Sequence, residues 1–383
     1  MKRAKICYVV TVPITIRAFF IPQLKYLAEN GFDVSVVCSK DDFLQKELGE
    51  KITYYPMEIP RGMSLLGSLK AIGHLIHFFK EEKFDLVQYS TPNAAMYASI
   101  AGRLTKIQVR NYHLMGFRYL GASGISKRIL KMMEIISCRN STHIECVSKS
   151  NLEIGINEKI FEKDKAVVVW NGSSGGVDLK RFDYSKRSVY RDEIRSHFGI
   201  SKDDFVFGFV GRITRDKGVN EILEAFSSIK NAKLLMVGNV EEEDSLNSML
   251  YQNSLSDENI VYTGLVSDVE KYYAAVDVLL LPSYREGFGN VVIEAAAMGT
   301  PAIVSNIPGP IDAIEVGKTA LVVNAKDTDA LTEAMQKIQT MDYMGMGQNA
   351  EQFAREKFDS VVLCRKILER KEKIDARNNT VQR

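Results

Sequence analysis

Short apolar runs alternate with helix-patterned stretches twice along this chain, and that rhythm limits its possible folds more than any other feature. Ile6 to Val12, Asp33 to Cys38 and Leu86 to Tyr89 read as strands, separated by helical patterns over Ile21 to Asn30 and Leu65 to Phe79 and followed by Ala94 to Leu104. Such alternation builds a parallel sheet with helices on both faces, because the chain must cross back between parallel strands. The pattern restarts at Phe205 to Val210 and continues through Leu234 to Val237, Val276 to Leu281, Ala302 to Val304 and Ala320 to Val322. Between the halves, Asn171-Gly-Ser-Ser-Gly-Gly-Val177 is rich in glycine and serine and places a hinge near residues 172–200. The expectation is an α/β protein of two doubly wound, Rossmann-like domains facing each other, with a ligand cleft at the C-terminal ends of their strands. The N-terminal domain covers 1–172 and the C-terminal domain 173–358, while 359–383 forms a basic helix that crosses back to the first.

A chain of 383 residues is long enough for two cores, and 45% hydrophobic with 26% charged residues is a soluble globular balance. Lys2, Arg3 and Lys5 before the apolar Ile6 to Val12 imitate a signal peptide, but Pro13 and Arg17 argue for a first strand. The five cysteines are scattered and odd in number, so neither a disulfide framework nor a zinc site is expected, and a reducing cytoplasm fits. The net charge of +2 hides an asymmetry, since residues 1–172 carry 24 Lys and Arg against 16 Asp and Glu. Residues 101–150 hold 9 against 2, and there Lys127, Arg128 and Lys131 interleave with Ile129, Leu130, Met132 and Met133. This pattern fits either an anionic membrane surface or a solvated helix face. Nothing points to nucleic acid.

Pro282-Ser-Tyr-Arg-Glu286-Gly-Phe-Gly-Asn-Val-Val-Ile-Glu294 sets two carboxylates eight positions apart across a glycine turn, between a buried strand and a helix from Val291 to Met298. Gly287 and Gly289 leave backbone NH groups bare at a helix start, which favours an anion such as phosphate. Carboxylates accept hydrogen bonds from hydroxyls. Phosphate with hydroxyls suggests a nucleotide sugar. A second loop, Gly211-Arg212-Ile-Thr-Arg215-Asp-Lys217-Gly218, follows a buried strand and crowds cations at a helix start, where the helix dipole disfavours them. A bound diphosphate resolves that conflict; so does simple neutralisation by Asp216 and Glu221. His113 follows a strand-like run and precedes Gly116.

Gly211-Arg212 through Lys217-Gly218, the pair Glu286 and Glu294, and Gly175-Gly-Val-Asp178 through Phe182 resemble glycosyltransferase family 4, retaining enzymes of the GT-B fold. Val9-Val-Thr-Val12 with Arg17, and Tyr112-His113 with Gly116-Phe117, resemble the branch that builds capsule, O-antigen and N-glycan precursors. That branch includes enzymes adding α-linked N-acetylgalactosamine to undecaprenyl-diphosphate-linked sugars. The resemblance implies transfer of a sugar from a UDP-sugar to a lipid-linked saccharide at the inner membrane face, with peripheral membrane association. It implies that Arg212 and Lys217 hold the donor diphosphate, Glu286 the donor sugar, Glu294 the ribose and His113 the sugar near its reacting carbon. Phe288, Gly289 and Asn290 would offer backbone NH groups; Gly211, Gly287 and Arg17 would also line the substrate. No cofactor or metal is implied, the basic residues replacing one, and no Asp-x-Asp stands near either loop. The first loop, Val12-Pro-Ile-Thr-Ile-Arg17, lacks the family's glycine turn. A sugar-nucleotide epimerase or hydrolase, or a non-catalytic nucleotide-sugar-binding partner, remain alternatives.

Overall fold

The computed structural model describes residues 4–60, 62, 65–241 and 246–381; Lys2 and Arg3 lie outside the described residues. The chain divides into two compact units, one of residues 1–175 with 360–383 and the other of 176–359.

In the first unit seven strands form one sheet. They are β1 (Lys5–Val9), β2 (Asp33–Cys38), β3 (Ile52–Pro56), β4 (Leu86–Tyr89), β5 (Val109–Leu114), β6 (His143–Cys146) and β7 (Ala166–Val168), in the order β3-β2-β1-β4-β5-β6-β7. Every pairing is parallel. The first strand stops earlier than the apolar run suggests, because Pro13 begins a helix over Pro13–Phe19. Proline suits that first helical position: its fixed φ matches the helix, and its missing NH would have had no partner there. One sheet face packs Cys7, Val9, Val87, Tyr89 and Tyr112 against the helices Leu65–Glu82 and Pro92–Leu104. The other face packs Ile6, Tyr8, Val34 and Val36 against the helix Ile21–Glu29, joined by Ile374 of the C-terminal helix, Ser360–Val381.

The second unit holds β8 (Phe205–Val210), β9 (Ala232–Val237), β10 (Ile260–Gly264), β11 (Val278–Leu281), β12 (Ala302–Ser305) and β13 (Ala320–Val323), ordered β10-β9-β8-β11-β12-β13 and again parallel. Val278-Leu-Leu-Leu281 is buried at every position, as a strand covered on both faces must be. Asp277 breaks that apolar run, and Arg191 and Arg195 meet it at 2.7 and 2.8 Å. Arg195 also donates to Ala275 O at the end of the helix Val269–Ala275, where the dipole favours a cation. In each sheet the strand order reverses once, between β1 and β4 and between β8 and β11, and ligands in such sheets bind where the loops leave that reversal.

Candidate active site

The two motif loops of the second unit leave the carboxyl ends of β8 and β11, the strands that flank its reversal. Their contact depends on glycine. Gly218 has φ +74°, and a Cβ there would lie 2.3 Å from the carbonyl oxygen of Pro282. The same crowding recurs one strand away, where a Cβ on Gly238 would lie 1.9 Å from the Gly211 oxygen. Asp216 O then accepts from Tyr284 N at 2.9 Å, which ties the loops together.

Lys217 Nζ meets Glu286 Oε1 at 2.6 Å, and Ser283 Oγ donates to the same oxygen at 2.9 Å. The sequence assigned Lys217 to phosphate and Glu286 to sugar as separate tasks. In the folded unit they are one ion pair, with side chains only 18% and 14% exposed. The charge of Lys217 is therefore answered by a carboxylate 69 residues away, while Asp216 lies near Arg212 and Glu221 accepts from Tyr284 Oη at 2.5 Å. Both bonds to Glu286 fall on Oε1, so among the described residues Oε2 is left to accept from a ligand hydroxyl. Arg212 stands apart from Lys217: its guanidinium is half exposed, 3.1 Å from Glu241 and 3.9 Å from Asp216.

The helix after the second loop spans Asn290–Ala297, with Gly289 at φ +91° as its N-cap. No L side chain occupies that conformation cheaply, so the glycine permits the turn from strand to helix. Phe288 turns its ring into the core, 5.4 Å from Phe358 and edge-on, leaving only its backbone for a ligand. Glu294 lies one turn inside the helix and accepts from Tyr273 Oη at 2.9 Å. Burial pushes its pKa up to about 7, against the opposing pull of the Tyr273 bond and of Arg181. Tyr273 and Ser283 were invisible to sequence reasoning: an aromatic next to an apolar run reads as core, and a serine in a loop carries no pattern.

In the first unit His113 occupies the C-terminal half of β5, 7% exposed, its ring edge-on to Phe20 at 5.3 Å. Burial pushes its pKa down to about 4, so the imidazole is neutral at pH 7. Arg17 is held by two carboxylates. Its Nη1 and Nη2 bond both oxygens of Asp41 at 2.8 and 2.7 Å, and its Nε bonds Glu47 at 2.7 Å. Asp41 in turn accepts from the NH groups of Phe43 and Leu44 at the start of a short helix. Arg17 thus fastens a loop to the first helix. At the reversal of this sheet Thr11 Oγ1 and Thr91 Oγ1 lie 2.7 Å apart. Thr91 holds φ +66°, a strained value for a β-branched residue.

Among the described residues no group of three or more His, Cys, Asp or Glu side chains converges on a metal position, and no helix is long and apolar enough to cross a membrane. The five cysteines are all buried and unbridged.

Two parallel-sheet Rossmann-like units, one with basic and acidic loops joined at its strand reversal, define a GT-B glycosyltransferase. The chain belongs to glycosyltransferase family 4: residues 23–175 match the family described as "Glycosyltransferase Family 4" and residues 190–357 that described as "Glycosyl transferases group 1". It is 31% identical over 373 residues to the capsular polysaccharide biosynthesis glycosyltransferase CapM of Staphylococcus aureus, covering 96% of each chain. It is 25% identical to the UDP-Gal:alpha-D-GlcNAc-diphosphoundecaprenol alpha-1,3-galactosyltransferase of Escherichia coli, covering 88% of each. Among solved structures, Anabaena HepE in complex with UDP superposes with a TM-score of 0.78 at 18% identity, covering 96% of this chain and all of that one.

Proposed function

We propose that this glycosyltransferase moves a hexose or N-acetylhexosamine from a UDP-sugar to a lipid-linked saccharide in surface-polysaccharide synthesis, retaining the configuration of the donor. The Lys217–Glu286 pair carries the reading, because it sets a cation for a leaving diphosphate beside a carboxylate oxygen still able to accept from a sugar hydroxyl. As the sugar–phosphate bond breaks, negative charge grows on the diphosphate, and a fixed ammonium stabilises that charge more in the transition state than before it. Arg212 adds a second positive group, which must exchange Glu241 for phosphate. The amides of Gly289 and Asn290 serve the anion, Glu294 the ribose hydroxyls, and His113 the sugar being transferred. UDP is favoured because the relative from Escherichia coli is named for UDP-Gal and HepE was solved with UDP. A lipid diphosphate acceptor is favoured by the name of the first of these.

A panel of nucleotide sugars with and without undecaprenyl-diphosphate saccharides, read by nucleotide release and product mass, tests this reading. Acceptor-dependent release that disappears in Glu294→Ala is expected. Steady release without acceptor would instead mean hydrolysis or epimerisation, and binding without turnover a non-catalytic role.

Glu294 gives the reading a pH signature. Its carboxyl is protonated below about pH 7 in the free protein, and hydroxyl binding favours the ionised form, so affinity for the nucleoside strengthens as pH rises through that value. Calorimetry with UDP from pH 6 to 8 is expected to show a steeper rise in wild type than in Glu294→Gln. Parallel curves would remove Glu294 from the ribose contact.

Membrane attachment is assigned to the helix Gly124–Asn140. Ile125, Ile129 and Met132, at the i, i+4, i+7 spacing of one helix face, are 75%, 37% and 55% exposed, with Lys127 and Arg128 also exposed beside them. Lys131 is held by Glu158 at 2.6 Å. An apolar stripe flanked by cations suits an anionic bilayer at the inner face of the cell membrane. Flotation with anionic vesicles should weaken several-fold in Ile125→Ser/Met132→Ser and in high salt; equal binding of both proteins to neutral vesicles would overturn the assignment.

A further inference from the structure

One face of the first sheet carries polar side chains where a parallel sheet covered on both sides normally buries apolar ones. Parallel register sets Gln88 of β4 beside Asn111 of β5, and His113 of β5 beside Glu145 of β6. All four are at most 7% exposed. The C-terminal helix covers them and delivers Lys371, whose ammonium is fully buried. Its three hydrogens have three acceptors: Gln88 Oε1 at 2.6 Å and Glu145 Oε1 and Oε2 at 2.9 and 2.8 Å. Asn111 Nδ2 completes the set by donating to Gln88 at 2.9 Å.

Docking a helix does not require this arrangement, since apolar side chains of similar size at such a position bind as well or better. What distinguishes the site is its neighbour. His113 Nε2 is buried without a hydrogen-bond partner, beside a cavity of about 10 Å³ lined by Gln23, Glu145, Ser173, Leu363 and Ile367, at the lower limit of room for one water. Among the described residues the Glu145 carboxylate is the negative group acting on that ring, and without Lys371 it would draw a proton onto it.

We propose that Lys371 is a positioning residue for His113: by occupying both oxygens of Glu145 it withholds that carboxylate from the imidazole and keeps the ring neutral. The proposal rests on the reading that His113 serves the transferred sugar. A neutral imidazole offers one donor and one acceptor to hydroxyls, whereas an imidazolium would oppose the positive charge that develops on the sugar as the diphosphate leaves. The directions agree. Burial lowers the His113 pKa most, Glu145 pulls it up and Lys371 pushes it down. Arg370 Nε, 3.6 Å from Glu145, is the other cation at this place. Tyr8 on β1 and Cys146 on β6 are kept neutral by burial, and the helix Ile21–Glu29 contributes the uncharged Gln23.

The five histidines make selective labelling and an NMR titration of the rings practicable. Lys371→Met is expected to raise the His113 protonation midpoint by about one unit or more, and Lys371→Met/Glu145→Gln to return it to near its original place. The acid limb of kcat at saturating donor, where the hydroxyl contacts already hold Glu294 ionised, should move upward with the single variant and recover in the double one. An unchanged midpoint overturns the proposal whatever the activity does. A midpoint that moves while the rate profile stays fixed overturns the assignment of His113 to the sugar, and the proposal with it. Should Lys371→Met not fold, Glu145→Gln carries the test with opposite sign: the midpoint must fall below that of wild type, and no change is a refutation.

Discussion

Lys217→Ala is expected to lower sugar transfer by at least about tenfold and up to about a hundredfold, corresponding to roughly 1.5–3 kcal/mol for a charge-assisted contact. Two losses act in the same direction. The departing diphosphate forfeits its cation, and Glu286, only 14% exposed, is left with the Ser283 hydroxyl as its hydrogen-bond partner among the described residues. The uncompensated carboxylate then repels the leaving group. Because charge grows along the reaction coordinate, kcat should fall more than KM rises. Steady-state kinetics on a variant whose melting curve matches wild type decides the matter: an unchanged kcat/KM would remove Lys217 from the mechanism.

Gly218→Ala should abolish UDP binding without touching any group that contacts the nucleotide. An alanine at φ +74° costs about 1–2 kcal/mol, and its Cβ would sit 2.3 Å from a backbone carbonyl that has no rotamer to yield. The loop after β8 must then separate from the loop after β11, which pulls Lys217 away from Glu286. A melting temperature lower by about 2–8 °C is expected for a unit of residues 176–359, at about 2–4 °C per kcal/mol. Calorimetry that finds wild-type affinity and an unchanged melting curve would show that the contact between the loops is not needed.

The strand–helix alternation was readable because period and composition are local: Val278-Leu-Leu-Leu281 can hardly be anything but a buried parallel strand. The turn Gly287–Asn290 and the helix after it were equally plain, since glycine at a left-handed position leaves its mark in the sequence. The charged residues were readable as types but not as partners. Arg212, Lys217, Glu286 and Glu294 stood out, yet nothing local says that Lys217 pairs with Glu286 while Arg212 faces Glu241. Arg17 shows the same limit: its position suggested a substrate contact, and nothing local says that Asp41 and Glu47 pair with it. The C-terminal stretch was expected only as a basic helix, and the burial of Lys371 among Gln88 and Glu145 was not legible in it.

By itself the sequence determined two parallel α/β units, the loops that bear the chemistry and the family to which they belong, because each is written in neighbouring residues. Only the tertiary structure decided which charges answer each other. Parallel strand order brings β8 beside β11 and joins residues 69 positions apart at Lys217–Glu286, and packing of the C-terminal helix on the first sheet joins residues 226 apart at Lys371–Glu145. Coulomb interaction depends on distance and burial, and neither is a property of separation along the chain.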